Sequence, residues 1–146
     1  MGMQENNLGT CPVDRGLMRV GDRWSILVLR DIERGLTRYD QMRASLGIAP
    51  NILSRRLSAL VEAGLIEKRR YSQRPPRDEY LLTEAGRDFL PILAAIGAWG
   101  RKHNGAGALT RQVDIQTGQA IRPVVVDANT GAPLGSRPLR FEYPGS

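Results

Sequence analysis

Residues 50–64 constrain the fold of this chain more than any other stretch. Pro50 stands where a helix tolerates proline, at its first position, and Gly64 stops the helical run. Between them Ile52, Leu53, Leu57, Leu60 and Val61 fall on one helical face. Asn51, Ser54, Arg55 and Ser58 share the opposite face, with Arg56 and Glu62 flanking. A solvated helix face more often pairs Glu with Lys. This one carries short hydrogen-bonding side chains and arginines, and no Glu until the last turn. Such a surface suits phosphates and base edges.

A hairpin comes next in the chain. Two short extended runs, 65–71 and 78–82, flank residues 72–77, where Pro75 and Pro76 stand in sequence and interrupt any strand ladder or helix. Arg69, Arg70, Arg74 and Arg77 line this long basic tip. Upstream, Pro12–Val20 is a short helix with Val13, Leu17 and Val20 on one face, ended by Gly21. Asp22 can cap the next helix, Arg23–Glu33. That helix is apolar nearly all round (Trp24, Ile26, Leu27, Val28, Leu29, Ile32) and is expected to be the buried central one. A third helix spans 37–46, with Tyr39, Met42 and Leu46 inward. Downstream, Thr83 caps a long amphipathic helix reaching about 104, with Phe89, Leu90, Leu93, Ile96 and Trp99 on its apolar face and a bend at Pro91. The order is helix, helix, short helix, polar-faced helix, basic hairpin, apolar helix. It predicts a mainly α fold with a small β element, a winged helix-turn-helix, with the fourth helix sized for a major groove and the hairpin reaching the neighbouring backbone.

Charge agrees with this order. The 146 residues carry a formal +6, and the basic residues are 19 Arg to 2 Lys. Arg grips phosphate in a bidentate fork that Lys lacks. Residues 51–77 hold seven basic residues against two acids, a local +5, whereas residues 104–146 carry only +1. A polyanion partner fits this concentration, and an Arg-rich solvated surface would produce the same count. Apolar residues at 41% and charged residues at 25% exclude wholesale disorder and a collagen-like fibre. With one cysteine a disulfide framework is excluded too. No apolar run approaches the roughly 18 residues of a membrane span, and residues 1–10 read as a flexible, polar N-terminus without the pattern of a signal peptide. The expectation is a cytoplasmic chain with no membrane partner. No Ser/His/Asp set, paired carboxylates, Gly-rich phosphate loop or metal cluster points to catalysis, so no catalytic residue and no cofactor is assigned.

Several ordered motifs together resemble HxlR-type, MarR-like transcriptional regulators. They are Cys11-Pro12-Val13, then Gly21-Asp22-Arg23-Trp24-Ser25-Ile26-Leu27-Val28-Leu29-Arg30, then Leu53-Ser54-Arg55-Arg56-Leu57 and Leu60-Val61-Glu62-Ala63-Gly64-Leu65-Ile66. The hairpin strand Pro75-Pro76-Arg77-Asp78-Glu79-Tyr80-Leu81-Leu82-Thr83 and Leu90-Pro91-Ile92-Leu93, leading to Trp99-Gly100, complete the set. The resemblance covers 11–107. It implies a dimeric winged-helix protein that binds a double-stranded DNA operator and switches transcription, more often as a repressor. Many relatives respond to oxidants, electrophiles or small aromatic or aldehyde compounds, so a small-molecule effector belongs to the expectation. Asn51, Ser54, Arg55 and Arg56 match the recognition helix, and residues 74–77 match the wing. The terminal helices 12–20 and 83–103 match the elements that build the dimer, with Val13, Leu17, Ile92, Ile96 and Trp99 as the expected interface. Ala49 departs from the Ser or Thr cap common in relatives, which weakens that helix start by roughly 1 kcal/mol, and Asp78 stands where an apolar residue is common.

Cys11 precedes Pro12 at a helix start, where the helix's partial charge and Arg15 would favour a thiolate. A redox sensor and a small packing residue are both compatible with that place, and the matching cysteine of several relatives senses oxidants. His103 has no ligand partners at metal spacing and reads as a dipole partner at a helix end. Residues 108–146 form a separate region: β-prone runs at 112–115, 120–126 and 139–143 predict a small β-meander. The turns at 114–118 and 127–131 echo each other thirteen residues apart. Asp127, Thr130 and Gly131 keep the spacing of a zinc knuckle without its sulfur ligands, so no structural metal is expected. A winged helix used only for protein contacts or for RNA is the alternative function, and the basic helix and hairpin argue against it.

Overall fold

The computed structural model describes residues 7–145. A 3-10 turn, Asn7–Thr10, leads into α1 (Pro12–Val20), α2 (Arg23–Glu33), α3 (Tyr39–Leu46) and α4 (Pro50–Glu62). An antiparallel pair of strands comes after them, β1 (Ile66–Gln73) and β2 (Pro76–Leu82), then α5 (Glu84–Asp88) and α6 (Leu90–His103). The first six residues of the N-terminus expected to be flexible lie outside the described residues. The chain divides into two compact units, Met1–Leu90 and Pro91–Ser146.

The core belongs to the first unit. Val28, Leu29 and Ile32 of α2, Met42 of α3, Leu53, Leu57 and Leu60 of α4, and Leu65 with Ile66 at the wing's root are buried, with Val20 and Ile48 beside them. The stripe on α4 is therefore the packed one, apart from Ile52, which is half buried, and Val61, which is partly exposed. Burying each large aliphatic side chain contributes about 1.5–3 kcal/mol. The central helix differs from expectation: α2 buries one face, and Trp24, Ile26 and Leu27 stay half exposed. Its buried face also contains polar groups. Asp31 is fully buried and accepts from Arg30 Nε (3.1 Å) and Nη2 (2.8 Å) through one carboxylate oxygen. Asp22 caps α2 as read from the sequence, accepting from the Ser25 backbone N–H (2.9 Å) and hydroxyl (2.9 Å).

Two element boundaries moved, each for a local reason. The third helix starts at Tyr39 rather than at 37, because Thr37 is engaged with the wing. Its carbonyl accepts from the Tyr80 N–H (2.8 Å) and its hydroxyl reaches Glu79 (3.4 Å). The long helix expected over 83–104 is broken at Phe89 into α5 and α6 rather than bent. Pro91 has no N–H to continue the ladder but fits the first turn of a new helix. Thr83 caps α5 as expected, accepting from the Gly86 N–H (3.2 Å) while its hydroxyl donates to the Gly64 carbonyl (2.6 Å). Gly86 permits this closure, since a Cβ there would stand 2.1 Å from the Leu65 carbonyl oxygen.

The second unit has no buried residue among those described. In α6, Ile92, Ile96 and Trp99 are exposed, and the Trp99 and His103 rings lie 5.1 Å apart between centroids. Where a meander is expected, two short loops are each closed by a single bridge, Val113 to Ala120 and Val126 to Pro133. They are the same loop built twice. In the first, the Asp114 carboxylate accepts from the Gln116 N–H (2.7 Å) and the Asp114 carbonyl from Gly118 (2.8 Å). In the second, Asp127 does so for Asn129 (2.9 Å) and Gly131 (2.6 Å). Gly118 and Gly131 supply the matching left-handed turns, at φ 71° and 72°. With their hydrogen bonds spent within each loop, these segments form no continuous strands. No helix among the described residues is long and apolar enough to cross a membrane.

Candidate nucleic-acid interface

Helices α3 and α4, joined by the three-residue turn Gly47, Ile48 and Ala49, form a helix-turn-helix. The core stripe on one side of α4 leaves Asn51, Ser54, Arg55 and Ser58 exposed on the other, as the spacing predicts. The Ser54 hydroxyl donates back to the Pro50 carbonyl (3.0 Å) and keeps its lone pairs for an incoming donor. Ala49 makes no side-chain cap. The start of α4 is steadied instead by the Tyr39 hydroxyl, which donates to the Pro50 carbonyl (3.0 Å), and its end by Arg19 Nη1, which donates to the Ala63 carbonyl (2.6 Å).

Arg56 is placed differently from its neighbours. It is half buried, and its Nη1 lies 3.3 Å from the Asp22 carboxylate. It braces α4 against the cap of α2 instead of facing outward.

The wing is shorter at its tip than the sequence suggested. Its turn is only Arg74 and Pro75, across a cis bond, and Pro76 opens β2. In a two-stranded ribbon both strands are edges, so a proline at a strand's first position costs no ladder hydrogen bond. Cross-strand pairs, directly opposed for Arg69 and Arg70 and diagonal for Lys68, then consume much of the wing's charge. Arg69 donates to Glu79 through Nη2 (2.6 Å) and Nε (3.3 Å), Arg70 Nε lies 3.3 Å from Asp78, and Lys68 Nζ lies 3.6 Å from Asp78. The Arg69 guanidinium holds the Glu79 carboxyl below the usual carboxylate range, with Thr37 and Arg38 adding to the effect. The local +5 of 51–77 is thus partly neutralised by Asp22, Asp78 and Glu79, which lie outside that stretch. Among the described residues Arg55, Arg74 and Arg77 have no ion-pair partner.

The register carries one irregularity, between Arg70 and Ser72, which makes Tyr71 the extra residue of a β-bulge. The bulge sets the Tyr71 ring 4.4 Å beneath the Arg38 guanidinium. Neither residue stood out in the sequence, where they lie thirty-three positions apart. The interleaving of arginine and tyrosine in Arg38-Tyr39 and Arg70-Tyr71 is the only local sign.

Cys11 is half buried at the N-cap of α1. Arg15 is committed elsewhere, donating twice to the Gly9 carbonyl (2.9 and 2.6 Å), so it does not serve as the expected charge partner of the thiol. Val13, Leu17 and Met18 leave an exposed apolar face on α1, while Val20 turns into the core.

A helix-turn-helix followed by a cationic two-stranded wing defines a winged-helix protein of the transcription-factor class. The HxlR-like helix-turn-helix family model matches residues 19–107, and the chain belongs to that family of transcriptional regulators, which are not enzymes. An uncharacterised HTH-type transcriptional regulator of Mycobacterium tuberculosis is 44% identical over 91 residues, covering 62% of this chain and 58% of that protein. The chain thus spans less than two thirds of the length of the first such relatives. Among solved structures, PA1607, a candidate transcription factor, is 37% identical over 93% of this chain and 96% of its own, with a TM-score of 0.84. The redox regulator HypR in its reduced form is 29% identical over 64% of this chain and 94% of its own, with a TM-score of 0.61.

Proposed function

We propose that this chain acts in the cytoplasm as a homodimeric repressor that binds an inverted-repeat operator in duplex DNA. The observation that carries the reading is the set of uncompensated guanidiniums. Arg55 stands on the outward face of α4 between hydrogen-bonding side chains, and Arg74 and Arg77 stand at the wing tip, while the other wing cations are paired. In this reading Asn51, Ser54, Arg55 and Ser58 contact base edges, Arg74 and Arg77 contact the backbone, and Arg56, Arg69 and Arg70 hold the frame. The exposed stripes Val13 with Leu17 and Ile92 with Ile96 and Trp99 favour pairing through the terminal helices. Two copies of α4 then address half-sites one or more helical turns apart, roughly 34–36 Å per turn.

Gel shifts against the DNA upstream of the chain's own gene, at physiological salt, test this. Arg55→Ala relaxes sequence preference, at a cost of about 1–3 kcal/mol for the preferred site. Arg74→Ala weakens all duplexes alike and flattens the salt slope by about one unit per protomer. A wild-type chain that shifts no duplex refutes the reading.

Redox control through Cys11 is a second component, supported by the likeness to HypR and by the cysteine's partial exposure. Diamide should release wild-type protein from its operator and leave Cys11→Ser bound. Equal release of both removes the sensor role.

A further inference from the structure

We propose that the cleft between the start of α3 and the wing is a second DNA anchor, in which Arg38, steadied by the Tyr71 ring, and Arg77 hold one phosphate of the duplex backbone. The inference rests on the reading of the chain as a duplex-DNA-binding protein and extends it to residues outside the recognition helix.

The cleft measures about 270 Å³ and is lined by Arg38, Tyr39, Asp40, Tyr71, Arg77 and Asp78. Its two lining cations, Arg38 and Arg77, lack a carboxylate at ion-pair distance among the described residues. Arg38 is pre-positioned: its guanidinium lies 4.4 Å over the Tyr71 ring, which fixes a long side chain before any ligand arrives and lowers the entropy cost of binding. The bulge that sets Tyr71 there is the wing's one departure from regular pairing. Tyr39 and Asp40, which line the cleft, are the first two residues of the eight-residue α3, and their backbone N–H groups have no intrahelical acceptor.

The cleft is also fixed relative to both elements of the interface. The Tyr39 hydroxyl ties it to the first residue of α4 (3.0 Å), and the Tyr80 N–H ties the wing to Thr37 (2.8 Å). The nearby acids cancel only part of this attraction: Glu79, whose charge Arg38 feels, is paired with Arg69. Asp78 is already paired with Lys68 and Arg70, which leaves Asp40 as the one lining carboxylate without an ion-pair partner among the described residues. Asp40 then opposes a phosphate and limits affinity.

The test titrates a short, labelled, random-sequence duplex with full-length protein at several salt concentrations between about 50 and 200 mM. Losing one phosphate contact lowers affinity about eightfold at 0.1 M salt and reduces the salt slope by about 0.9, so a dimer, which loses two, binds about sixtyfold more weakly with a slope smaller by about 1.8. That is the result expected for Arg38→Ala. Arg38→Gln serves the same purpose should the alanine variant fail to fold. Tyr71→Leu weakens binding in the same direction, Tyr71→Phe keeps the ring and binds like wild type, and Asp40→Asn tightens binding. If wild type and Arg38→Ala share affinity and slope while wild type binds, the cleft is no anchor and the regulator reading stands. If wild type binds no duplex at any salt, both fall together.

Discussion

The Asp22 carboxylate is a joint between two helices, and removing it separates three contributions. In Asp22→Ala the α2 N-cap is lost, at about 1 kcal/mol. The Ser25 hydroxyl, on a residue only 3% exposed, loses its acceptor, at a further 1 kcal/mol or so. The ion pair with Arg56 is about a third exposed on both sides, so it is worth no more than about 0.5–1 kcal/mol after solvent screening. The sum is about 2.5 kcal/mol, or roughly 10 °C in Tm. Urea and thermal denaturation followed by circular dichroism measure it. Asp22→Asn preserves the cap, because Asn caps as well as Asp, but it sets an amide NH2 where Oδ2 met the Ser25 hydroxyl and Arg56, so it should lose the Arg56 share and the Ser25 hydroxyl's acceptor while keeping the backbone cap. A cycle of Asp22→Ala, Arg56→Ala and the double variant should give a coupling of about 0.5–1 kcal/mol. An Asp22→Ala loss below about 0.5 kcal/mol, or strict additivity in the cycle, would show that the cap and brace do not act through this carboxylate.

The wing and its root supply two more tests. Gly86→Ala drives a methyl group against the Leu65 carbonyl oxygen, a backbone atom that cannot swing aside. It should cost about 2–3 kcal/mol in urea denaturation, a loss typical of overpacking. Glu79, held below the usual carboxylate range by Arg69, contributes stability that is complete above the ordinary carboxylate pKa and disappears as pH falls through the lowered value. Denaturation midpoints measured across the acid range should therefore fall less steeply for Glu79→Gln than for wild type.

Helical periodicity made α4 legible from residue types alone, because a two-faced helix needs only its own sequence to declare which side is buried. The cap at Asp22 was legible for the same reason, since donor and acceptor lie three residues apart. Features that depend on partners remote in sequence were not. The Arg56 brace needs Asp22, and the wing's charge pairs need a register that the Pro75-Pro76 pair obscured. That pair would be disruptive in a central strand but is harmless at the start of a ribbon strand. Asp31 sits inside a helix that looks apolar all round, and nothing local says that Arg30 folds back onto it. The Arg38–Tyr71 stack arises from a one-residue slip between strands, which residue types do not encode. In the tail, β-prone residues point to strands, yet the Asp and Thr turn formers between them decide the backbone.

The paired loops of that tail close independently of each other. The backbone and turn hydrogen bonds that close the first loop lie within 112–121, and those that close the second lie within 125–134. Each thirteen-residue period is therefore a self-contained cassette. It can be deleted, copied or exchanged whole, and insertions between the two leave both closures untouched.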